Sequence, residues 1–368
     1  MHQKRRIIGC VLATVTVLLP MDPSGATTIP GGDGSASPEH RSGEAPLSTA
    51  GAPRERPVDP AAPVSLADPA RPAAARSSAG HAAGPAVTPA VSASSAASVA
   101  GRSDGGAGRA GAPRALPYSL TGDPRALGAR VFRGAAFDTC HTPPYDTMRA
   151  WRRASPFRAV GVYIGGRGRA CPRQPNLTPD WVRGVDRMGW RLLPLYVGSQ
   201  APCVTEQSKR RVAIGRRAPR TRGVREGRDA VRRVKALGMA PRSAIYLDME
   251  AYDSRRTRCA KTTLRFVRGW SAAVRRAGYL PGFYSSSESG IAHMERVRRE
   301  GSRDLPMALW FARWGVRPSV EAAPALRRTH WWPHRRAHQF QGNVKRTYGG
   351  RTLHIDRNEV DAPVAIIR

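Results

Sequence analysis

The stretch Ala244-Ile245-Tyr246-Leu247-Asp248-Met249-Glu250-Ala251 reads as a buried strand that ends in two carboxylates. Residues two apart on an extended strand point the same way, so Asp248 and Glu250 project together from its C-terminal end. The chain of 368 residues carries a net charge of +33, so acidic residues are scarce. Two of them side by side on an apolar strand suit glycosidic bond cleavage. That chemistry needs one group to protonate the leaving oxygen and another to stabilise a positive sugar ring. The competing reading is a structural pair that caps a neighbouring helix or meets arginines.

Outward from this strand, short apolar runs alternate with amphipathic stretches. Gly134 to Asp138 reads as a first strand and Pro144 to Arg153 as a helix. Ala159 to Ile164 is a second strand. Thr178-Pro179-Asp180 then opens a helix with an N-cap, a proline at the first position and an acidic first turn. Trp190 to Val197 is a third strand, followed by a basic segment from Lys209 to Arg228 and a helix from about Arg225 to Leu237. After the opening strand, Thr262 to Ala277 is helical, Pro281 to Tyr284 is a fifth strand and Ser287 to Arg299 is helical. Ala308 to Ala312, Ala337 to Phe340 and Thr352 to Asp356 are three more strands, with no clear helical period between them. Alternating β and α units imply an α/β fold with a parallel sheet, and eight strands predict a TIM-like barrel. An open doubly wound sheet is the alternative, but no Gly-rich phosphate loop follows the first strand. Gly165-Gly166-Arg167-Gly168 reads as a flexible loop.

A barrel gathers its strand C-termini on one face, where sites are built. That face would collect Asp138, Tyr163, Tyr196 and Gln200 from strands one to three, and Asp248 and Glu250 from strand four. Tyr284, then Trp310, Arg313 and Trp314, then Gln339 and Gln341, then Asp356 would follow from strands five to eight. Each tyrosine taken singly equally suits wall packing. Cys140, Cys171, Cys203 and Cys259 follow strands one to four on the same rim. Neighbouring strands meet, so Cys140–Cys171 and Cys203–Cys259 are the expected disulfides. No CxxC spacing or histidine cluster calls for a metal, and nothing calls for a cofactor. His338 and His354, on strands, read as structural.

The rest of the chain is of a different kind. Residues 1–26 combine a basic start, an apolar run from Ile7 to Leu19 and small residues at Ser24-Gly25-Ala26, the pattern of an export signal. Residues 27–125 are rich in Ala, Pro, Gly and Ser, with no aromatic before Tyr118, and are expected to be a disordered linker. Residues 126–368 are expected to form the barrel domain. An even number of cysteines in an exported chain fits disulfides. Residues 118–368 hold 49 Lys and Arg against 19 Asp and Glu. Such a surface attracts polyanions. For a secreted or wall-associated protein, anionic wall polymers are more plausible partners than nucleic acid. A monomer with no membrane span after signal cleavage is expected.

Six motifs occur in a familiar order: Phe137-Asp138-Thr139-Cys140, Tyr163-Ile164-Gly165-Gly166, Tyr246-Leu247-Asp248-Met249-Glu250, Tyr284-Ser285-Ser286-Ser287, Leu309-Trp310-Phe311-Ala312-Arg313-Trp314 and Ile355-Asp356. Together, from about Arg130 to Pro363, they resemble a glycoside-hydrolase-like domain family, number 1906 among domains of unknown function. That family is similar to family 25 glycoside hydrolases, muramidases with a (β/α)5β3 barrel. The resemblance implies that Glu250 is the general acid and Asp248 the partner that stabilises the positive intermediate. Asp138 and Asp356 would be floor carboxylates that tune them, and crowding by three carboxylates would keep Glu250 protonated. Trp310 and Trp314 would stack on sugar faces. Tyr163, Tyr196, Gln200, Tyr284, Arg313 and Gln339 would complete the substrate site, with peptidoglycan or a related cell-wall polysaccharide as partner. A non-catalytic carbohydrate-binding barrel is the alternative. The Lys209–Arg228 segment and the pair Arg357-Asn358 after Asp356 depart from the muramidase pattern.

Overall fold

The structure, a computed structural model, describes residues 114–368. The expected export signal and linker residues 27–113 lie outside the described residues. Eight strands form a closed barrel in chain order. They are β1 (Arg130–Asp138), β2 (Ala159–Gly165), β3 (Arg191–Tyr196), β4 (Ala244–Asp248), β5 (Leu280–Ser286), β6 (Ala308–Ala312), β7 (Arg336–Tyr348) and β8 (Arg351–Val364). Helices α1 (Tyr145–Ala154), α2 (Pro179–Arg187), α3 (Pro219–Ala236), α4 (Thr257–Arg276) and α5 (Ala292–Arg299) follow the first five strands in turn. Pairing is parallel from β1 through β7, whereas β8 runs antiparallel to both β7 and β1. This is a (β/α)5β3 barrel.

The antiparallel ending has a local cause. Gly349 and Gly350, both at positive φ (55° and 71°), turn the chain between β7 and β8 in two residues. A turn that tight joins only antiparallel neighbours. Elsewhere the helix signals act as read. The Thr178 side chain accepts from the Trp181 N–H, and Pro179 occupies the first turn of α2. Helix α3 starts at Pro219, earlier than its arginine-rich first turn suggests, and packs closely on α4. A Cβ at Gly223 would stand 2.1 Å from the Phe266 carbonyl oxygen, so only glycine fits there. The expected helix Ser287–Arg299 divides into a π-helical turn, Ser287–Ile291, and α5.

Alternation along each strand separates two cores. One set, including Phe137, Val160, Leu192, Ile245, Phe283 and Leu309, packs with helix residues such as Trp151, Val182, Val234 and Trp270. The intervening set, Ala136, Leu193, Leu195, Tyr246, Ala308, Trp310, Ala337 and Val360, fills the barrel interior. Asp138, Asp248, Gln339, Asp356 and Asn358 share the parity of this inner set. They lie at its upper end, toward the C-termini of β1 to β7 and the N-terminal half of the antiparallel β8.

The described chain begins earlier than the expected domain boundary. Leu116 and Leu120 are buried, the Leu116 N–H donates to the Arg275 carbonyl, and the Trp331 N–H donates to the Leu120 carbonyl. Residues 114–125, assigned to the linker from composition, are therefore packed on the barrel. Disulfides join Cys140 to Cys171 and Cys203 to Cys259. Among the described residues no helix is long and apolar enough to cross a membrane.

Candidate active site

A cavity of about 700 Å³ opens at the C-terminal ends of the strands. Asp138, Asp248, Glu250 and Asp356 all line it. The barrel register brings them there: Asp138 pairs with Asp356 across β1 and β8, and Asp248 continues the inner face of β4 above Tyr246.

Asp138 is 1% exposed and accepts three hydrogen bonds. Tyr163 Oη donates to Oδ1 at 2.8 Å, while Gln339 Nε2 and Asn358 Nδ2 donate to Oδ2 at 3.1 and 2.9 Å. Gln339 Nε2 also lies 3.4 Å from Asp356 Oδ2, and the Asn343 N–H donates to Asp356 Oδ1 at 2.6 Å. Burial and then the charge of Asp356 push Asp138 up to about 7, against the three hydrogen bonds. Burial also raises Asp356, with Glu250 adding and the Asn343 N–H opposing. Asp248, 4% exposed, is raised well above the carboxylate range by burial first and the nearby Glu250 second, while Lys209 opposes. Its Oδ1 is buried without a hydrogen-bond partner.

Glu250 meets a cation that the resemblance did not supply. Lys209 Nζ stands 3.2 Å from Glu250 Oε1 and donates to the Gly168 carbonyl at 3.1 Å. Burial is the leading cause that raises Asp138, Asp248 and Asp356, and Lys209 is the counter-ion of Glu250. Lys209 belongs to the basic segment, on a 3-10 turn, Gln207–Val212, that walls the cavity.

The structure redistributes the other expected contacts. Tyr163 lines the cavity. Tyr284 and Trp314 reach it only through Gln339: Tyr284 Oη and Trp314 Nε1 both donate to Gln339 Oε1, at 2.9 and 3.1 Å. Trp314 is 52% exposed at the rim. Gln339, nearly fully buried, holds the floor carboxyls and does not face solvent. Three expectations need correction. Tyr196 has the outer parity of β3 and donates to Asp229 Oδ2 on α3 at 2.9 Å, away from the cavity. Trp310 is fully buried beneath the floor, edge-on to Tyr246 and Tyr284, with Nε1 donating to Asn358 Oδ1 at 2.8 Å. It plugs the barrel and offers no face to a sugar. Arg313 pairs with Glu288 at 3.1 Å and donates to the Ala322 carbonyl, outside the cavity lining. Gln341 accepts from Arg357.

Gln200 has a different part from the one expected. Fully buried, it donates from Nε2 to the Asp248 carbonyl at 2.9 Å and accepts the Glu250 N–H at Oε1 at 2.8 Å. One side chain thereby grips the backbone on both sides of Met249. Sequence reading missed Lys209 and Asn358. Asn358 had a signal: it shares the period-two face of Asp356 and Val360. The basic segment that begins at Lys209 stood out after strand three, but irregular backbone gave no rule for which of its side chains reaches Glu250. His354, read as structural, is exposed at the cavity mouth with His141. Among the described residues no group of three or more His, Cys, Asp and Glu could hold a metal ion.

No curated protein sequence matches the chain. Among solved structures, the Mycobacterium tuberculosis Tat-secreted protein Rv2525c, crystallised with L-tartrate, is 18% identical with a TM-score of 0.43, over 62% of this chain and 96% of that one. The Clostridium perfringens spore cortex lytic enzyme SleM is 14% identical (TM-score 0.39; 62% of this chain, 67% of that one). The Streptococcus pneumoniae modular autolysin LytC is 12% identical (TM-score 0.40; 63% and 46%). Likenesses this distant say nothing about activity. The family model of the Rv2525c-like, glycoside hydrolase-like domain matches residues 149–360, from α1 into β8. That span is more than half of the chain and takes in Asp248, Glu250 and Asp356, so the chain belongs to the Rv2525c-like, glycoside hydrolase-like domain family.

Proposed function

We propose that this chain is an exported glycosidase of cell-wall glycan, acting on peptidoglycan or a related amino-sugar polymer. The observation that carries this reading is the meeting of Asp138, Asp248, Glu250 and Asp356 in one cavity, with burial and mutual charge favouring the protonated form of three of them. Burial first and the charge of Glu250 second favour a proton on Asp248. A proton on one carboxyl and a charge on the other is the division of labour that acid-assisted glycosidic cleavage requires. Glu250, the more open of the two, relays the proton held on Asp248 to the leaving oxygen, which leaves Asp248 charged. Asp248, with its unpartnered Oδ1, stabilises the charge that develops on the sugar. Asp138 and Asp356 tune the pair from the floor. Two disulfides fit the oxidising exterior that an export signal at residues 1–26 would lead to. Residues 27–113 would then tether the barrel.

The contact of Lys209 with Glu250 favours a second reading, a barrel that binds glycan without turnover. Release of reducing ends from purified cell wall separates the two. The wild type should release them and Glu250→Gln should be slower by about 100-fold or more. Equal rates would remove Glu250 from its role. Saturable binding with no release by the wild type would establish the second reading.

A further inference from the structure

Lys209 is not a loose surface lysine. Its loop is fixed on both sides. The Gln200 N–H donates to the Val212 carbonyl and the Ile214 N–H to the Gln200 carbonyl. The Thr205 N–H and Oγ1 both donate to the Ala251 carbonyl, and Cys203 is tied by its disulfide to Cys259 on α4. The Lys209 side chain is only 14% exposed and forms part of the cavity wall. An ammonium has three N–H donors. One donates to the Gly168 carbonyl, while Glu250 Oε1 stands 3.2 Å from Nζ as an ion pair without an aligned hydrogen bond. Among the described residues no other acceptor takes an N–H of Lys209, in a cavity that Lys209 itself lines.

The charge balance of the cavity points the same way. Its acidic side chains are Asp138, Asp248, Asp356, Glu250 and Glu206, and its cations are Lys209 and Arg169, with His141 and His354 at the mouth. Burial and mutual repulsion bias Asp138, Asp248 and Asp356 toward neutrality. With those three neutral, the two cations balance Glu250 and Glu206. A negative group can then enter without meeting a net negative wall. Arg169 gives two of its five N–H donors to the Gly166 and Tyr163 carbonyls, whereas Lys209 is the cation that stands against Glu250 itself.

Building on the glycan reading above, we propose that the site selects a glycan unit bearing a carboxylate, with Lys209 as the residue that receives it. The carboxylate takes a free N–H of Lys209 and competes with Glu250 for the ammonium. Glu250 loses its counter-ion to the substrate and is left beside Asp248. Lys209 is thus both a specificity residue and the link by which the correct substrate frees Glu250.

The test compares two oligosaccharides of equal length by titration calorimetry on the full chain at pH 6. One is a neutral N-acetylglucosamine oligomer, the other alternates N-acetylglucosamine with glucuronate. The wild type should bind the acidic oligomer about tenfold more tightly or better, as expected for one charge-assisted hydrogen bond. In Lys209→Met the ratio should fall to about one, and Lys209→Arg should recover most of it. Equal affinities in the wild type would overturn the proposal and leave the glycan reading intact. A preference that persists in Lys209→Met would trace it to the basic surface and overturn it too. If neither oligomer binds, the glycan reading fails and takes this proposal with it.

Discussion

Replacing Asp138 by asparagine should stabilise the protein, and only above acidic pH. Asp138 is buried and its carboxyl is raised from 3.8 to about 7. Below about pH 4 it is protonated in both folded and unfolded chains. Between about 4 and 7 the unfolded chain releases the proton and the folded chain keeps it, so stability falls as pH rises. Above about 7 the loss is complete. At ~1.4 kcal/mol for each tenfold change in acidity, the ionised carboxyl costs the fold roughly 4 kcal/mol. Asparagine has the same shape and keeps the hydrogen bonds. Its carbonyl can accept from Gln339 and Asn358, and its amide can donate to Tyr163 Oη, which accepts as readily as it donates. Urea denaturation at pH 4, 5, 6, 7 and 8 measures the effect. The gain of Asp138→Asn over wild type should be near zero at pH 4 and reach roughly 2–4 kcal/mol at pH 8, the lower figure if Asp356 takes over part of the shared proton. A difference that is constant across the range would refute the reasoning, because only a titrating group produces the slope.

Three further outcomes are expected. Gln200→Ala leaves the Asp248 carbonyl and the Glu250 N–H without their buried partner, and should cost about 2–4 kcal/mol in urea unfolding. Replacing Cys203 and Cys259 together by serine removes a link across a sequence separation of 56, which should lower stability by about 4 kcal/mol under non-reducing conditions. Trp314→Ala, at an exposed rim position, should change the urea midpoint by less than about 0.5 kcal/mol equivalent while weakening binding of an N-acetylglucosamine oligomer.

Strand existence was readable where burial on both faces enforces apolar runs, as at Ala159–Ile164 and Ala244–Leu247. The extent of β7 and β8 was not. Lys345, Thr347, Arg351 and Thr352 are exposed on a hairpin that rises past the barrel, so no apolar pattern marks them. The Gly349-Gly350 turn was the available clue. For the site, period-two reasoning brought Asp138, Asp248 and Asp356 together because strands impose it. It failed for Tyr196, Trp310 and Arg313, since a position near a strand end does not say whether the side chain faces helix, plug or cavity. Lys209 and the packing of residues 114–125 depend on irregular backbone, for which sequence periodicity has no rule.

The antiparallel eighth strand has a kinetic consequence. Asn358 reaches back 220 positions to Asp138, and β8 pairs with both β1 and β7. A chain emerging from its N-terminal side can assemble seven strands and still have an open sheet. Until β8 arrives, β1 and β7 present two unpaired edges, the surfaces most prone to join other chains. Closure of so distant a contact is slow compared with local helix formation. A product cut short before Arg351 would therefore lack Asp356 and Asn358 and also expose both edges, which makes aggregation its expected fate.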